Sequence, residues 1–175
     1  MRGYGKLFET ETKNGLKWLE EQKLLTFGKN EALGGRFHRL PQLHPDFYVF
    51  TSLGQFFYLE CKSTQAKKSF AFKNIKSHQI RELRRVSKWP NGRGYFLINF
   101  RSKWDVAKED SWNETYIVTI KQFLKYREVT GRESFEKQWI VDNCLKLKRV
   151  KYDGITKNGK PKLITAWDMN FLVRP

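Results

Sequence analysis

Glu60 and Lys62 stand two residues apart in the run QFFYLECK, Gln55 to Lys62. Side chains alternate across a pleated strand, so a strand here turns Phe57, Leu59 and Cys61 to one face and Phe56, Tyr58, Glu60 and Lys62 to the other. A carboxylate and an ammonium group then emerge side by side at the end of a segment otherwise suited to a core. The preceding run DFYVF, Asp46 to Phe50, is also strand-like, and Thr51-Ser52-Leu53-Gly54 between the two reads as a hairpin turn. Pairing would bring Asp46, at the start of one strand, near Glu60 and Lys62 at the end of its partner. Two converging carboxylates make a hard oxygen site suited to Mg²⁺ or Mn²⁺. A lysine beside them can orient or deprotonate a water for in-line attack on a phosphodiester. As a bare tripeptide the pattern is common and usually marks an ordinary surface pair. Here it ends an apolar strand, follows Pro45-Asp46 at hairpin distance and opens into a basic segment.

Two further side chains point to the same place. Ile75, Gln79, Leu83 and Val86 share one face of a helix predicted over Asn74 to Lys88. An amide in that stripe needs a partner, because an unpaired buried amide is costly. It is either a core glutamine satisfied by backbone or a group aimed at the reacting water or phosphate. In the first helix, predicted over Leu7 to Leu25, Glu9 lies seven residues before Leu16 and shares its inward stripe. Glu9 could add a third acid. Glu11 stands in the same relation to Trp18 and is the rival, and either could simply complement the helix dipole.

The elements that must position these groups are legible. After the first helix, Gly34-Gly35 breaks the chain and Arg36 to Leu40 is a possible short strand, followed by the Asp46–Phe50 and Gln55–Lys62 pair. Beyond the second helix, stopped by Pro90, Asn91 and Gly92, come strands at Tyr95 to Phe100 and Tyr116 to Ile120. A helix from Lys121 to about Glu128 and another over Ser134 to Leu145 follow, then two strands, Lys148 to Tyr152 and Leu163 to Trp167, around a Gly-containing turn. This order predicts an α/β (α+β) fold with a mixed sheet flanked by helices, in one domain over residues 1–175.

Charge indicates the partner. Thirty-four Lys and Arg against eighteen Asp and Glu give +16 over 175 residues. Nine basic residues and one acid lie between Cys61 and Lys88, and seven and one between Asn143 and Leu163. Two such concentrations favour a shaped nucleic-acid footprint over diffuse solubility. Two cysteines cannot build a zinc cluster or a disulfide framework, no apolar run is long enough to span a bilayer, and the polar N-terminus reads as no signal peptide. The expectation is a cytoplasmic protein, of the bacterial nucleoid or of a phage-infected cell. The histidines His38, His44 and His78 are scattered, and Trp104, Trp112, Tyr126 and Trp139 read first as packing residues and only second as base-stacking ones.

The stretch SFAFKNIKSHQI, Ser69 to Ile80, resembles the signature of the RecU family of Holliday-junction resolvases, within the PD-(D/E)xK nucleases, in which a Ser-Phe segment leads through Lys-Asn to a His-Gln pair. Tyr58 to Thr64 resembles that family's Glu-Ala-Lys-Glu-Thr element with cysteine in the alanine's place, and Asp46-Phe47 its preceding strand. The similarity covers most of residues 1–125, with a basic extension from about 130 to 175. His44-Pro45 replaces the family's Thr-Thr, and the stretch before Asp46 is short. Residues Phe37 to Leu43 therefore leave room for at most a small version of the family's projecting stalk. The resemblance implies a restriction-endonuclease-like core and a homodimer that nicks four-way-junction DNA with Mg²⁺, Mn²⁺ substituting. It implies Asp46, Glu60 and the backbone carbonyl of Cys61 as metal ligands, Lys62 on the water, Glu9 as accessory acid and Gln79 as orienter. Lys67, Lys68, Lys73, Lys76, Arg81, Arg84 and Arg85 are expected to bind phosphates. A restriction- or repair-type enzyme on duplex DNA and a non-cutting basic module are the alternatives.

Overall fold

The structure is a computed structural model that describes residues 4–29, 45–102, 112–155 and 159–174. Helix α1 (Tyr4–Glu21) precedes strands β1 (Leu25–Lys29), β2 (Phe47–Thr51), β3 (Phe56–Thr64) and β4 (Ser69–Ala71). Then come α2 (Ser77–Val86), β5 (Gly92–Arg101), β6 (Asn113–Thr119), α3 (Ile120–Thr130), β7 (Ser134–Glu136), α4 (Lys137–Asn143), β8 (Leu145–Leu147), β9 (Arg149–Ile155) and β10 (Pro161–Trp167). The expected breaks and strand between 34 and 43, the small stalk, His38, His44, Trp104 and Lys157-Asn158 of the last turn lie outside the described residues.

Six strands form the main sheet in the order β1-β2-β3-β5-β6-β8. Only β3 and β5 run parallel, because α2 carries the chain back across the face between them; every other pair is antiparallel. This is the mixed sheet flanked by helices that the sequence predicts. The period-two alternation of β3 divides the molecule into two cores. Phe57, Leu59 and Cys61 pack with Phe8, Leu16 and Leu19 of α1, while Phe96, Ile98 and Phe100 of β5 face the other way onto Leu83 of α2 and Phe123 of α3. Tyr126 and Trp139 join Phe135 in that second core, with ring centroids 4.5–5.3 Å apart.

Three boundaries differ from the sequence reading. Helix α1 ends at Glu21, not Leu25, because Lys23 takes a left-handed backbone at φ 60°, and the next residues form β1 on the sheet edge. Lysine in place of the usual glycine hid that stop. The span read as one helix from Ser134 to Leu145 is a strand, a short helix and the start of another strand: β7 pairs with β4 and β8 with β6, contacts with distant segments that local periodicity does not encode. The second helix begins at Ser77, after a single 3₁₀ turn over Phe72–Asn74.

The basic C-terminal segment is woven into the body. β8 is the sixth strand of the main sheet, and the β9–β10 hairpin lies on α1, with Trp167 buried edge-on to Phe8. Gly15 permits that approach: a Cβ there would stand 2.2 Å from the Trp167 carbonyl oxygen.

Candidate active site

Register assembles the site. Phe47 pairs with Leu59, which sets Asp46 opposite Glu60, and Asp46 Oδ2 accepts the Cys61 backbone N–H at 2.7 Å. Cys61 itself faces α1, where its thiol donates to Thr12 Oγ1 at 3.7 Å, so burial pushes the thiol's pKa well up. Glu60 and Lys62 emerge on the α2 face. Lys62 Nζ lies 2.8 Å from Glu60 Oε1, with the carboxylate side chain only 2% exposed.

Gln79 completes this contact from α2. Its Oε1 accepts the Lys76 backbone N–H at 2.9 Å, closing the first turn of the helix, and its Nε2 donates to Glu60 Oε1. The amide is engaged by the helix end and by Glu60, so the group it orients in the structure is the Glu60 carboxylate. That resolves why a glutamine sits beside an apolar stripe.

Glu9 and Glu11 separate clearly. Glu9 reaches the site from α1 and pairs with Lys29 Nζ of β1 at 3.0 Å, and its charge acts on Asp46. Glu11 is buried elsewhere, 2.6 Å from Arg149 Nη2 and 3.7 Å from Arg101 Nη2. Glu9 is therefore the acid near the cluster.

The electrostatics follow from crowding. Burial, then the Glu9 charge, raises Asp46 to a pKa of about 6 against the opposing pull of the Cys61 N–H and the lysines. Burial, then Asp46, raises Glu60 to about 7 although Lys62 opposes this. Both folded-state values exceed the ordinary ones, so the metal-free fold retains protons that the unfolded chain releases, and it loses stability as pH rises through about 6 to 7. We expect the melting temperature in chelator to fall between pH 5 and pH 8, with a flatter profile in Glu60→Gln. Divalent-cation affinity should rise over the same window, by about tenfold per pH unit for each proton displaced. A pH-independent cation affinity would contradict this picture.

The donor set fits a hard, hydrated cation. Two carboxylates held together against their own repulsion favour a dication, and Mg²⁺ is commonly held by one or two carboxylates while keeping several waters. Among the described residues no group of three or more His, Cys, Asp or Glu side chains is arranged to hold a metal, so Glu9 does not complete a three-acid cage.

The expected phosphate-binding residues lie on the segments that follow β3 and form α2. Lys67 and Lys68 are exposed just beyond β3, Lys73 and Lys76 lead into α2, and Arg81 and Arg84 are exposed along it. Arg85 is committed to Glu82 of its own helix at 2.6 Å, which weakens its claim as a phosphate ligand. Lys29 was invisible as a site residue from sequence, since it lies on the strand hidden by the misread helix end. The only signal for it is the alternation within LTFGK, Leu25 to Lys29.

A family model described as Recombination protein U matches residues 45–156, more than half of the chain. The chain belongs to the RecU family. The RecU match opens at Pro45, beside Asp46, and continues through β8 into the C-terminal hairpin, beyond residue 125 where the motif resemblance fades. Among relatives, the Holliday junction resolvase RecU of Ureaplasma parvum serovar 3 is 32% identical over 102 residues, 58% of this chain and 53% of that protein. The SPbeta prophage-derived uncharacterized protein YotM of Bacillus subtilis is 35% identical over 89 residues, 50% of this chain and 41% of that protein. The chain thus spans about half the length of these two relatives or less. Its fold is similar to Archaeoglobus fulgidus Hjc, a Holliday junction resolvase, at a TM-score of 0.47 and 11% identity over 81% of this chain and 95% of that one.

Proposed function

We propose that this RecU-family chain is a divalent-cation-dependent DNA endonuclease that resolves four-way junctions by paired, symmetric nicks, as a homodimer. The observation that carries this reading is the opposition of half-buried Asp46 to buried Glu60, with Lys62 bonded to Glu60 at 2.8 Å, in the stretch of β3 that runs on past its pairing with β2 towards the exposed Lys67 and Lys68. Asp46, Glu60 and the Cys61 carbonyl would hold Mg²⁺ or Mn²⁺, which when bound supplies Lewis-acid stabilisation of charge on the phosphoryl oxygens. Gln79 fixes the Glu60 carboxylate. Lys62 orients the attacking water and handles its proton at Nζ. Glu9, held by Lys29, keeps negative charge beside Asp46. The exposed lysines and arginines position the backbone and read no bases.

Cutting two opposed strands needs two sites in fixed relation, which a symmetric dimer supplies. An exposed aromatic surface shared by the β2–β3 hairpin and the turn after α2 supports this: Tyr48 is 37%, Phe50 50% and Trp89 46% exposed, and Phe56 stacks on Trp89 at 5.5 Å. Contiguous apolar patches of this kind mark interaction sites. The test is Mg²⁺-dependent cleavage of a four-way junction labelled on each strand in turn, beside linear duplex of the same sequence, at moderate salt. We expect nicks paired about the branch point and a junction preference of at least roughly tenfold, given the usual advantage of specific over nonspecific sites. Equal cutting of linear duplex would favour a restriction- or repair-type enzyme. No cutting of any substrate would favour a binding module.

A further inference from the structure

A second basic site lies on the same face of the sheet as Glu60 and Lys62. There β6 carries Glu114 and Tyr116, and β8 sets Lys146 in register beside Tyr116. Glu114 Oε1 accepts from Lys146 Nζ at 2.6 Å, and its Oε2 accepts from Lys137 Nζ. Lys137 opens α4, and its backbone N–H donates to the Lys68 carbonyl at 2.8 Å, which fixes Lys68 beside it. The two ammonium groups also lie over rings, Lys137 at 5.5 Å from the centre of Phe100 and Lys146 at 5.9 Å from that of Tyr116. Together with Lys67 and Lys68, these residues line an open cleft of about 680 Å³.

An internal ion-pair network would balance its charges, and this one does not. Four lysines line the cleft against Glu114 and Glu136, and Glu136 is already paired with Arg132. Each ammonium group has three donors, and the hydrogen bond to Glu114 uses one. Glu114 thus acts as a clamp that fixes two cations while leaving the cleft positive. Register also places the cleft relative to the active site. Lys62, Ile98, Tyr116 and Lys146 align across β3, β5, β6 and β8. Three strand spacings of about 4.8 Å separate Lys62 from Lys146, roughly 14 Å in all. At 3.4 Å of axis per nucleotide, that is about four nucleotides.

We infer that this cleft is a second phosphate-backbone site, gripping nucleic acid about four nucleotides from the scissile phosphate through Lys67, Lys68, Lys137 and Lys146. The distance to a scissile phosphate rests on the nuclease reading above; the binding itself does not. The experiment is the salt dependence of four-way-junction binding by fluorescence anisotropy in chelator, where cleavage cannot intrude. Lys137→Gln with Lys146→Gln should bind at least roughly tenfold more weakly at low salt and flatten the log–log slope by about 2. Lys67→Gln with Lys68→Gln, which alters only exposed side chains, should do the same. Glu114→Gln should move affinity the other way and steepen the slope, which loss of a merely structural residue would not do. In DNA carrying neutral methylphosphonates three to five nucleotides from the mapped nick, wild-type binding should weaken and the Lys137/Lys146 variant should be indifferent. Unchanged slopes in both lysine pairs, in a protein that still nicks junctions, would overturn the cleft and leave the nuclease standing. Reduced slopes in a protein that nicks nothing would uphold the cleft and overturn the nuclease.

Discussion

Asp46→Asn and Glu60→Gln should each lower the single-turnover rate of junction cleavage by at least roughly a thousandfold, as removal of a central electrostatic group does. Junction affinity should stay within about threefold, because phosphate contacts to the basic surface supply it. The substitutions are near-isosteric. Asparagine at 46 still offers an oxygen to the Cys61 N–H, and glutamine at 60 still offers one to Lys62 and Gln79, so the present hydrogen bonds at 2.7 and 2.8 Å survive. Only the charge that attracts a cation is lost. The same variants should raise the melting temperature of the metal-free protein above neutral pH, since they remove carboxylates whose burial raises their pKa values to about 6 and about 7. Lys62→Ala should abolish cutting with the same retention of binding. Cleavage by Lys62→Ala at the wild-type rate would remove it from the chemistry.

The largest loss of stability should come from Glu11→Ala. Glu11 is buried between Arg149 at 2.6 Å and Arg101 at 3.7 Å, and the Arg101 side chain is 0% exposed. This one carboxylate joins α1 to the end of β5 and to β9, so it fastens the C-terminal hairpin to the main sheet. Removing one member of a buried ion network strands charge in low dielectric and costs roughly 3–5 kcal/mol. For a chain of this size the melting temperature should fall by roughly 10 °C. Arg149→Ala, at a side chain that is 37% exposed, should cost only about 1 kcal/mol. Urea titration of the three proteins measures the difference; equal stability of Glu11→Ala and wild type would show that the network contributes nothing.

What the sequence made legible was local. The alternation of QFFYLECK put Glu60 and Lys62 on one face, and the hairpin spacing placed Asp46 opposite Glu60, as the Phe47–Leu59 register has it. Gln79 stood out because an amide interrupts an apolar stripe, and its hydrogen bond to Glu60 explains the interruption. What stayed hidden depended on distant partners. Glu9 and Glu11 each stand seven residues before an apolar residue of the same helix, Leu16 and Trp18; Lys29, on an unrecognised strand, and the distant Arg101 and Arg149 tell them apart. The Glu114 clamp is likewise invisible, because Lys137 lies within the span read as one helix from Ser134 to Leu145, and Lys146 lies between that helix and the next predicted strand. Lys23 in a left-handed conformation without glycine's advantage concealed β1 for a purely local reason.

The most direct measurement is nicking of a labelled four-way junction by the wild-type protein after exhaustive chelation, followed by stepwise return of Mg²⁺ at pH 8. The account predicts no cleavage in chelator, recovery with Mg²⁺ or Mn²⁺, and DNA binding with little turnover in Ca²⁺, whose looser coordination positions the attacking water poorly. Full cleavage in excess chelator would contradict it.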